Sequence, residues 1–72
     1  MAFKNIPDGS TILIFTTAGD RVIDIPPGVR EEGNILWDTR NSSGEQINSG
    51  TYLYKVEIPE SDPYWGRLVV IR

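Results

Sequence analysis

The clearest pattern in the chain is the alternation of residue types over Thr51–Pro59, which reads TYLYKVEIP. In an extended strand successive side chains point to opposite faces, so every second residue lies on the same face. One face would therefore carry Tyr52, Tyr54, Val56 and Ile58, and the other face would carry the mostly polar residues between them. The alternation predicts a β-strand with one face against a core.

Four further runs rich in apolar and β-branched residues also predict strands, and turns containing Gly or Pro separate them. They are Thr11–Thr17, Arg21–Ile25, Ile35–Asp38 and Trp65–Arg72. A helical turn over Val29–Glu32 would be too short to be stable by itself. Short strands separated by turns about every 8–12 residues are typical of a small antiparallel β-sandwich, so we predict an all-β sandwich of about six to seven strands without helices.

A loop rich in Asx residues and glycine joins two of these strands. Asp38 and Asn41 have side-chain oxygens that accept backbone N–H bonds in turns, and Gly44 readily adopts a left-handed conformation. We therefore predict a structured hairpin that fixes the strand register, with large rings in the core on either side. The residues that we expect to set this hairpin are Trp37, Asp38, Asn41, Gly44, Gly50 and Tyr54.

The oxygen-rich side chains of the same loop raise calcium binding as an alternative. The spacing does not match an EF-hand loop, because Arg40 stands where a second ligand is needed and Gly44 comes one position late. We therefore favour the structural interpretation and predict no metal site.

Composition narrows the classes of function. The chain has 72 residues, enough for one small domain, and contains neither cysteine nor histidine. The commonest general base and the commonest metal ligand are thus both missing, which argues against catalysis. The net charge of −3 disfavours binding to nucleic acid, and no apolar run approaches the roughly 20 residues that cross a bilayer. We predict a non-enzymatic module with no cofactor, no nucleic-acid partner and no membrane insertion.

Aromatic residues offer a further hypothesis. Tyr64, Trp65 and Tyr52 could form a platform on which sugar rings stack, which would make the chain a carbohydrate-binding module. The alternative is that the large rings mainly provide core or rim volume, as they must in a small sandwich. We favour packing, because surface aromatics alone are a weak signal of a site.

Three segments together resemble a known family. Trp37–Lys55 reads W-D-x-R-N-x-x-G-x-x-I-x-S-G-x-Y-x-Y-K, and Asn5–Val22 contains N-I-P-D-G, a strand and A-G-D-R-V. The ending Gly66–Arg72 resembles the terminal strand of the same family, which commonly finishes on a basic residue. This pattern is similar to the Ig-like domain of the flagellar hook-capping protein and to related C-terminal sorting modules of type IX secretion. One departure is Glu60–Tyr64, which lengthens a turn that is usually tighter.

The resemblance implies an Ig-like sandwich without enzymatic activity that serves as a spacer, an assembly module or an export signal. We expect residues 1–72 to be a single Ig-like module, the C-terminal part of a longer exported protein whose signal lies elsewhere. The expected setting is extracellular or at the bacterial cell surface, with a protein of the secretion or assembly machinery as partner. A carbohydrate-binding module and a structural assembly domain remain alternatives.

The terminal strand is the segment that we expect to contact a partner. An exposed strand at a sheet edge presents unpaired N–H and C=O groups, to which another chain can add a strand. The residues predicted to make this contact are Arg67, Leu68, Val69 and Arg72, with Arg72 giving charge selectivity.

Overall fold

The computed structural model describes residues 2–3, 6–26 and 35–71, and within them it shows β-strands and no helix. The strands are β1 (Ala2–Phe3), β2 (Thr11–Thr16), β3 (Arg21–Ile25), β4 (Ile35–Leu36), β5 (Gly50–Glu57) and β6 (Tyr64–Val70). Every strand pair is antiparallel. The all-β, antiparallel class predicted from the sequence is therefore confirmed for the described part of the chain.

A four-stranded sheet in the order β3–β2–β5–β6 forms the main body, and β1 pairs separately with β4. The central position of β2 explains its unbroken apolar run, because both faces of a central strand can be covered. Ile12 and Ile14 are fully buried on one face, here called the inner face, and Leu13 is buried on the opposite, outer face.

The core lies against the inner face. Val56 of β5 is directly opposite Ile12 of β2, and Tyr54 is opposite Ile14. Phe3 of β1 meets the Tyr54 ring edge-on, with 5.6 Å between the ring centroids. Residues of both sheets therefore share one core, whose buried members are Phe3, Ile6, Ile12, Ile14, Val22, Trp37, Tyr52, Val56, Leu68 and Val70.

The predicted strands Thr11–Thr17 and Arg21–Ile25 pair with each other as the hairpin of β2 and β3. β2 ends at Thr16, because the N–H of Gly19 donates to the Thr16 carbonyl at 3.0 Å and closes the turn there. The register then shifts between Ile14 and Phe15, so that Val22 is an extra residue on β3. Such a bulge lets Val22 turn into the core, where it is buried.

Other strand boundaries also differ from the predicted ones. β4 covers only the first half of the predicted strand, since Asp38 already belongs to a turn and its Oδ1 accepts the Arg40 N–H. β5 ends at Glu57, before a turn in which the Ser61 N–H donates to the Ile58 carbonyl at 3.3 Å. β1 was not expected, because two residues are too few to show a period. The helical turn considered over Val29–Glu32 lies outside the described residues.

Candidate partner-binding edge

The two edges of the four-stranded sheet differ in how they are covered. At the β3 edge the N–H of Ser42, from the loop between β4 and β5, donates to the Val22 carbonyl at 3.1 Å. The loop therefore lies against β3 and leaves a shallow groove of about 610 Å³ beside Arg21–Asp24. At the opposite edge β6 pairs with β5 on one side, and no other described strand pairs with its second side. Among the described residues β6 is thus the edge without pairing on its second side, whereas the β3 edge has a hydrogen bond from the loop.

The side chains of β6 alternate between the two faces. Leu68 and Val70 are buried on the inner face, whereas Trp65, Arg67 and Val69 are exposed on the outer face. The structure corrects the prediction for Leu68, because the period of two turns its side chain into the core and away from a partner. Arg67 and Val69 are exposed, so their contact with a partner stays a prediction, and Arg72 lies outside the described residues.

Trp65 is part of a small apolar surface on the outer face. Its ring packs against the ring of Phe15 at a centroid distance of 5.6 Å and an interplanar angle of 35°. The Nζ of Lys55, directly opposite on β5, lies 5.6 Å from the Trp65 ring centroid and 3.4 Å from a Glu57 carboxylate oxygen. Trp65 as a whole residue is still 58% exposed. A cation–π contact and an aromatic pair therefore hold this ring in place without covering it.

The sequence did not point to Phe15 and Lys55 as neighbours of Trp65. Phe15 is separated from Trp65 by β5, and it lies two residue pairs further along the strands. Such diagonal contacts depend on strand order and register, which follow from long-range pairing. One indication was present in the sequence. The apolar run of β2 places apolar residues on both faces, which indicates that side chains from other strands also pack on the outer face.

The three aromatic residues of the sugar-binding alternative do not come together. Tyr52 is buried, and its hydroxyl donates to the Asn48 carbonyl at 2.7 Å. Tyr64 lies opposite Val56 on the inner face, whereas Trp65 lies on the outer face. No single platform contains all three, so the sugar-binding role stays a prediction without the shared surface on which it depended.

The loop between β4 and β5 is organised by Asn41. Its Oδ1 accepts the backbone N–H groups of Ser43 and Glu45, both at 3.0 Å. Its own N–H donates to the Glu45 carbonyl at 2.8 Å, and its carbonyl accepts the Gly44 N–H at 3.0 Å. Gly44 has a φ of 84°, in the left-handed region. One carboxamide thus ties both sides of a tight turn together.

Arg40 and Trp37 connect this turn to the core. The Arg40 guanidinium donates to the Gly44 carbonyl at 2.7 Å, and its Nε lies 3.7 Å from an Asp38 carboxylate oxygen. The buried Trp37 donates its indole N–H to the Arg40 carbonyl at 3.0 Å. The prediction that this loop closes a hairpin is wrong for the described strands, because β4 pairs with β1 whereas β5 pairs with β2 and β6. The loop connects the two sheets and does not set a register between its flanking strands, and the structural role of its residues stays a prediction. Gly50 lies beyond it, at the start of β5 opposite Val70.

The acidic side chains and the secondary structure bear on two other classes of site. Across 2–3, 6–26 and 35–71, no three acidic side chains come together in an arrangement that could hold a metal ion. The same residues contain no helix with the length and apolar character needed to cross a membrane.

The fold resembles part of PorZ, described as an essential bacterial surface component of the type-IX secretion system of Porphyromonas gingivalis. The TM-score is 0.77 and the identity 22%, over 99% of this chain and 9% of the PorZ chain. The chain therefore spans less than a tenth of that protein, and at this identity the likeness concerns the fold. No protein-family model matches the chain, and no curated protein matches it.

Proposed function

We propose that this chain is a non-catalytic, Ig-like accessory module of a secreted or cell-surface bacterial protein, which acts in sorting and secretion through a type IX system or in surface attachment. The observation that carries the proposal is the similarity of almost the whole chain to one segment of a type IX surface component. The sequence patterns at Trp37–Lys55 and Gly66–Arg72 independently resemble sorting modules of that route.

We further propose that the two sheets are the layers of an Ig-like sandwich. The edge-on contact between Phe3 and Tyr54 supports this arrangement, because it joins β1 to the inner face of β5. Ile6 and Trp37 belong to the same core as the β2 and β6 side chains. Face-to-face packing of two sheets over a shared core is the defining feature of a sandwich.

A protein partner is the expected ligand, and β6 is the proposed contact. The edge is free on one side, and its exposed residues Trp65, Arg67 and Val69 project on the outer face. Main-chain pairing along such an edge would provide affinity, and side chains that alternate across the new strand would provide specificity.

The test is an export assay in a bacterium with a type IX system. A reporter enzyme fused to residues 1–72 is expected to reach the cell surface, whereas the reporter alone stays inside. A double substitution, Trp65→Ala with Arg67→Glu, should reduce surface delivery, and Arg21→Glu on the covered β3 edge serves as the charge-matched control. Deletion of Gly66–Arg72 is less informative, since it removes the buried Leu68 and Val70 from the core.

Two results would contradict the proposal. One is equal surface delivery with and without the module; the other is retention of the fused reporter inside the cell although the module is folded. The structural-assembly alternative would instead show a stable oligomer of the chain alone, or with a filament partner, in light-scattering measurements. Binding of soluble polysaccharide that changes tryptophan fluorescence would favour the carbohydrate-binding alternative.

A further inference from the structure

The outer side of β6 has an unusual order of side chains for a free edge. Trp65, Arg67 and Val69 follow one another at every second residue, so a cation lies between two apolar groups. Arg67 is exposed, and the residue directly opposite it on β5 is Leu53. No carboxylate in the described part of the chain forms an ion pair with Arg67. Arg67 is therefore available to pair with a carboxylate that a partner supplies.

A second copy of the chain is a poor occupant of this edge. Only one antiparallel register pairs all residues of two β6 strands, Tyr64–Val70, and it places Trp65 of each copy opposite Val69 of the other. The same register places the two Arg67 side chains directly opposite each other. Like charges at directly opposed positions destabilise a strand pair, and a basic residue on an edge strand is a known defence against self-pairing.

We propose that the β6 edge binds an extended acidic strand of a protein partner. In that strand a carboxylate lies opposite Arg67, and apolar side chains lie opposite Trp65 and Val69. Antiparallel pairing is the expected direction, since all strand pairs in the fold are antiparallel. The inference rests on the proposed function, and it adds the chemistry of the partner to the location of the contact.

Charge complementarity is the reason for choosing an acidic strand. The chain carries a net charge of −3, so its overall charge would attract a basic partner rather than an acidic one. On the β6 edge the sign of the charge is reversed, because Arg67 is its central exposed charge, whereas the Lys55 cation beside the Trp65 ring is already paired with Glu57. A carboxylate held by a guanidinium at this position would set the register of the added strand as well as its affinity.

The experiment uses the whole chain and three capped peptides of about nine residues, the length of an extended strand. Each is built of threonine, with valine at its third and seventh positions, and they differ only at the central residue, which is Glu, Gln or Lys. Titrations followed by ¹H–¹⁵N chemical shifts report the Kd and identify the amides that are perturbed. We expect changes along β6 and about fivefold tighter binding of the Glu peptide than of the Gln peptide, with the Lys peptide weakest.

Two variants make the test specific. Arg67→Glu should reverse the preference, so that the Lys peptide binds best. Arg21→Glu makes the same change in net charge on the β3 edge and should leave the order of the three peptide affinities unchanged. The preference should weaken as salt is raised. Equal Kd values for the three peptides, perturbed amides away from β6, or the same effect from both variants would overturn the inference.

The inference and the proposed function can fail separately. If the peptides show no charge preference while export still depends on the module, the acidic-strand inference is wrong and the proposed function stands. If the peptides bind as expected but the reporter reaches the surface without the module, the binding edge is real and the proposed function is wrong.

Discussion

The ring of Tyr54 lies over Gly66 on the neighbouring strand. The two residues are directly opposite each other in the β5–β6 register, on the inner face of the sheet. A Cβ at residue 66 would overlap the ring atoms Cζ and Cε2 and the hydroxyl oxygen of Tyr54. The same ring meets Phe3 edge-on at 5.6 Å. Gly66 therefore provides the space that allows Tyr54 to connect β5 with β1.

Gly66→Ala should destabilise the protein by about 1–3 kcal/mol, the usual cost of overpacking a well-filled site. The added methyl group would force the Tyr54 ring to move, and movement would weaken its contact with Phe3. Urea unfolding followed by tryptophan fluorescence gives the free energy of unfolding of both proteins. When Tyr54 is first replaced by leucine, Gly66→Ala should lower the free energy of unfolding much less. Equal losses with and without the Tyr54 ring would show that overlap with this ring does not cause the destabilisation.

Asn41→Ala should lower the free energy of unfolding by about 1 kcal/mol. The substitution removes the side-chain oxygen that accepts two backbone hydrogen bonds. The loss stays small because the N–H groups of Ser43 and Glu45 lie on the surface, where they can donate to water instead. For a domain of this size the loss corresponds to about 4–8 °C in Tm. Asn48→Ala is the matched control, since the structure gives Asn48 a hydrogen bond through its main-chain carbonyl. Equal effects of the two substitutions would contradict the role assigned to the Asn41 side chain.

Local chemistry made much of this fold predictable. The period of two over Thr51–Pro59 predicts which side chains of β5 face the core, and the buried Tyr52 and Val56 agree with it. Asn41 and Gly44 likewise indicate their turn, because a carboxamide acceptor and a left-handed glycine are both local requirements.

Features that depend on long-range pairing could not be predicted in this way. Leu68 was expected to contact a partner, yet which face of β6 is inward depends on its register with β5. The contact between Trp65 and Phe15 requires the strand order β2–β5–β6, which the sequence pattern leaves open. Thr39 is a different case: it has a φ of 60°, which a β-branched residue rarely adopts, so no propensity would indicate it.

Ser10→Ala should leave the protein as stable as before, or more stable by up to about 1–2 kcal/mol. The Ser10 side chain is fully buried, and its hydroxyl has no hydrogen-bond partner among the described residues. Its removal therefore relieves an uncompensated desolvation cost. Thr16→Val offers the contrast, because the Thr16 hydroxyl accepts the Asp20 N–H at 3.1 Å and its loss should destabilise. Thermal unfolding of both variants tests this, and a clear loss of stability in Ser10→Ala would contradict the prediction.

Arg67→Val should make the chain self-associate through β6. The substitution removes the like-charge pair that opposes antiparallel pairing of two copies, and it leaves a continuous apolar row with Trp65 and Val69 on a free edge. A flat apolar edge strand is a template for pairing with another copy. Replacing a repulsive cross-strand pair by an apolar one should stabilise the dimer by about 1 kcal/mol, which lowers its Kd about fivefold.

Sedimentation equilibrium over a range of concentrations measures this association. Arg67→Lys keeps the charge and should behave like the unmodified chain, which separates the effect of charge from that of side-chain shape. Arg21→Val removes a cation from the β3 edge, where Ser42 already bonds to Val22, and should not promote association. If Arg67→Val associates no more than Arg21→Val, charge on β6 is not what keeps two edges apart, and the selectivity proposed for an acidic strand loses its physical basis.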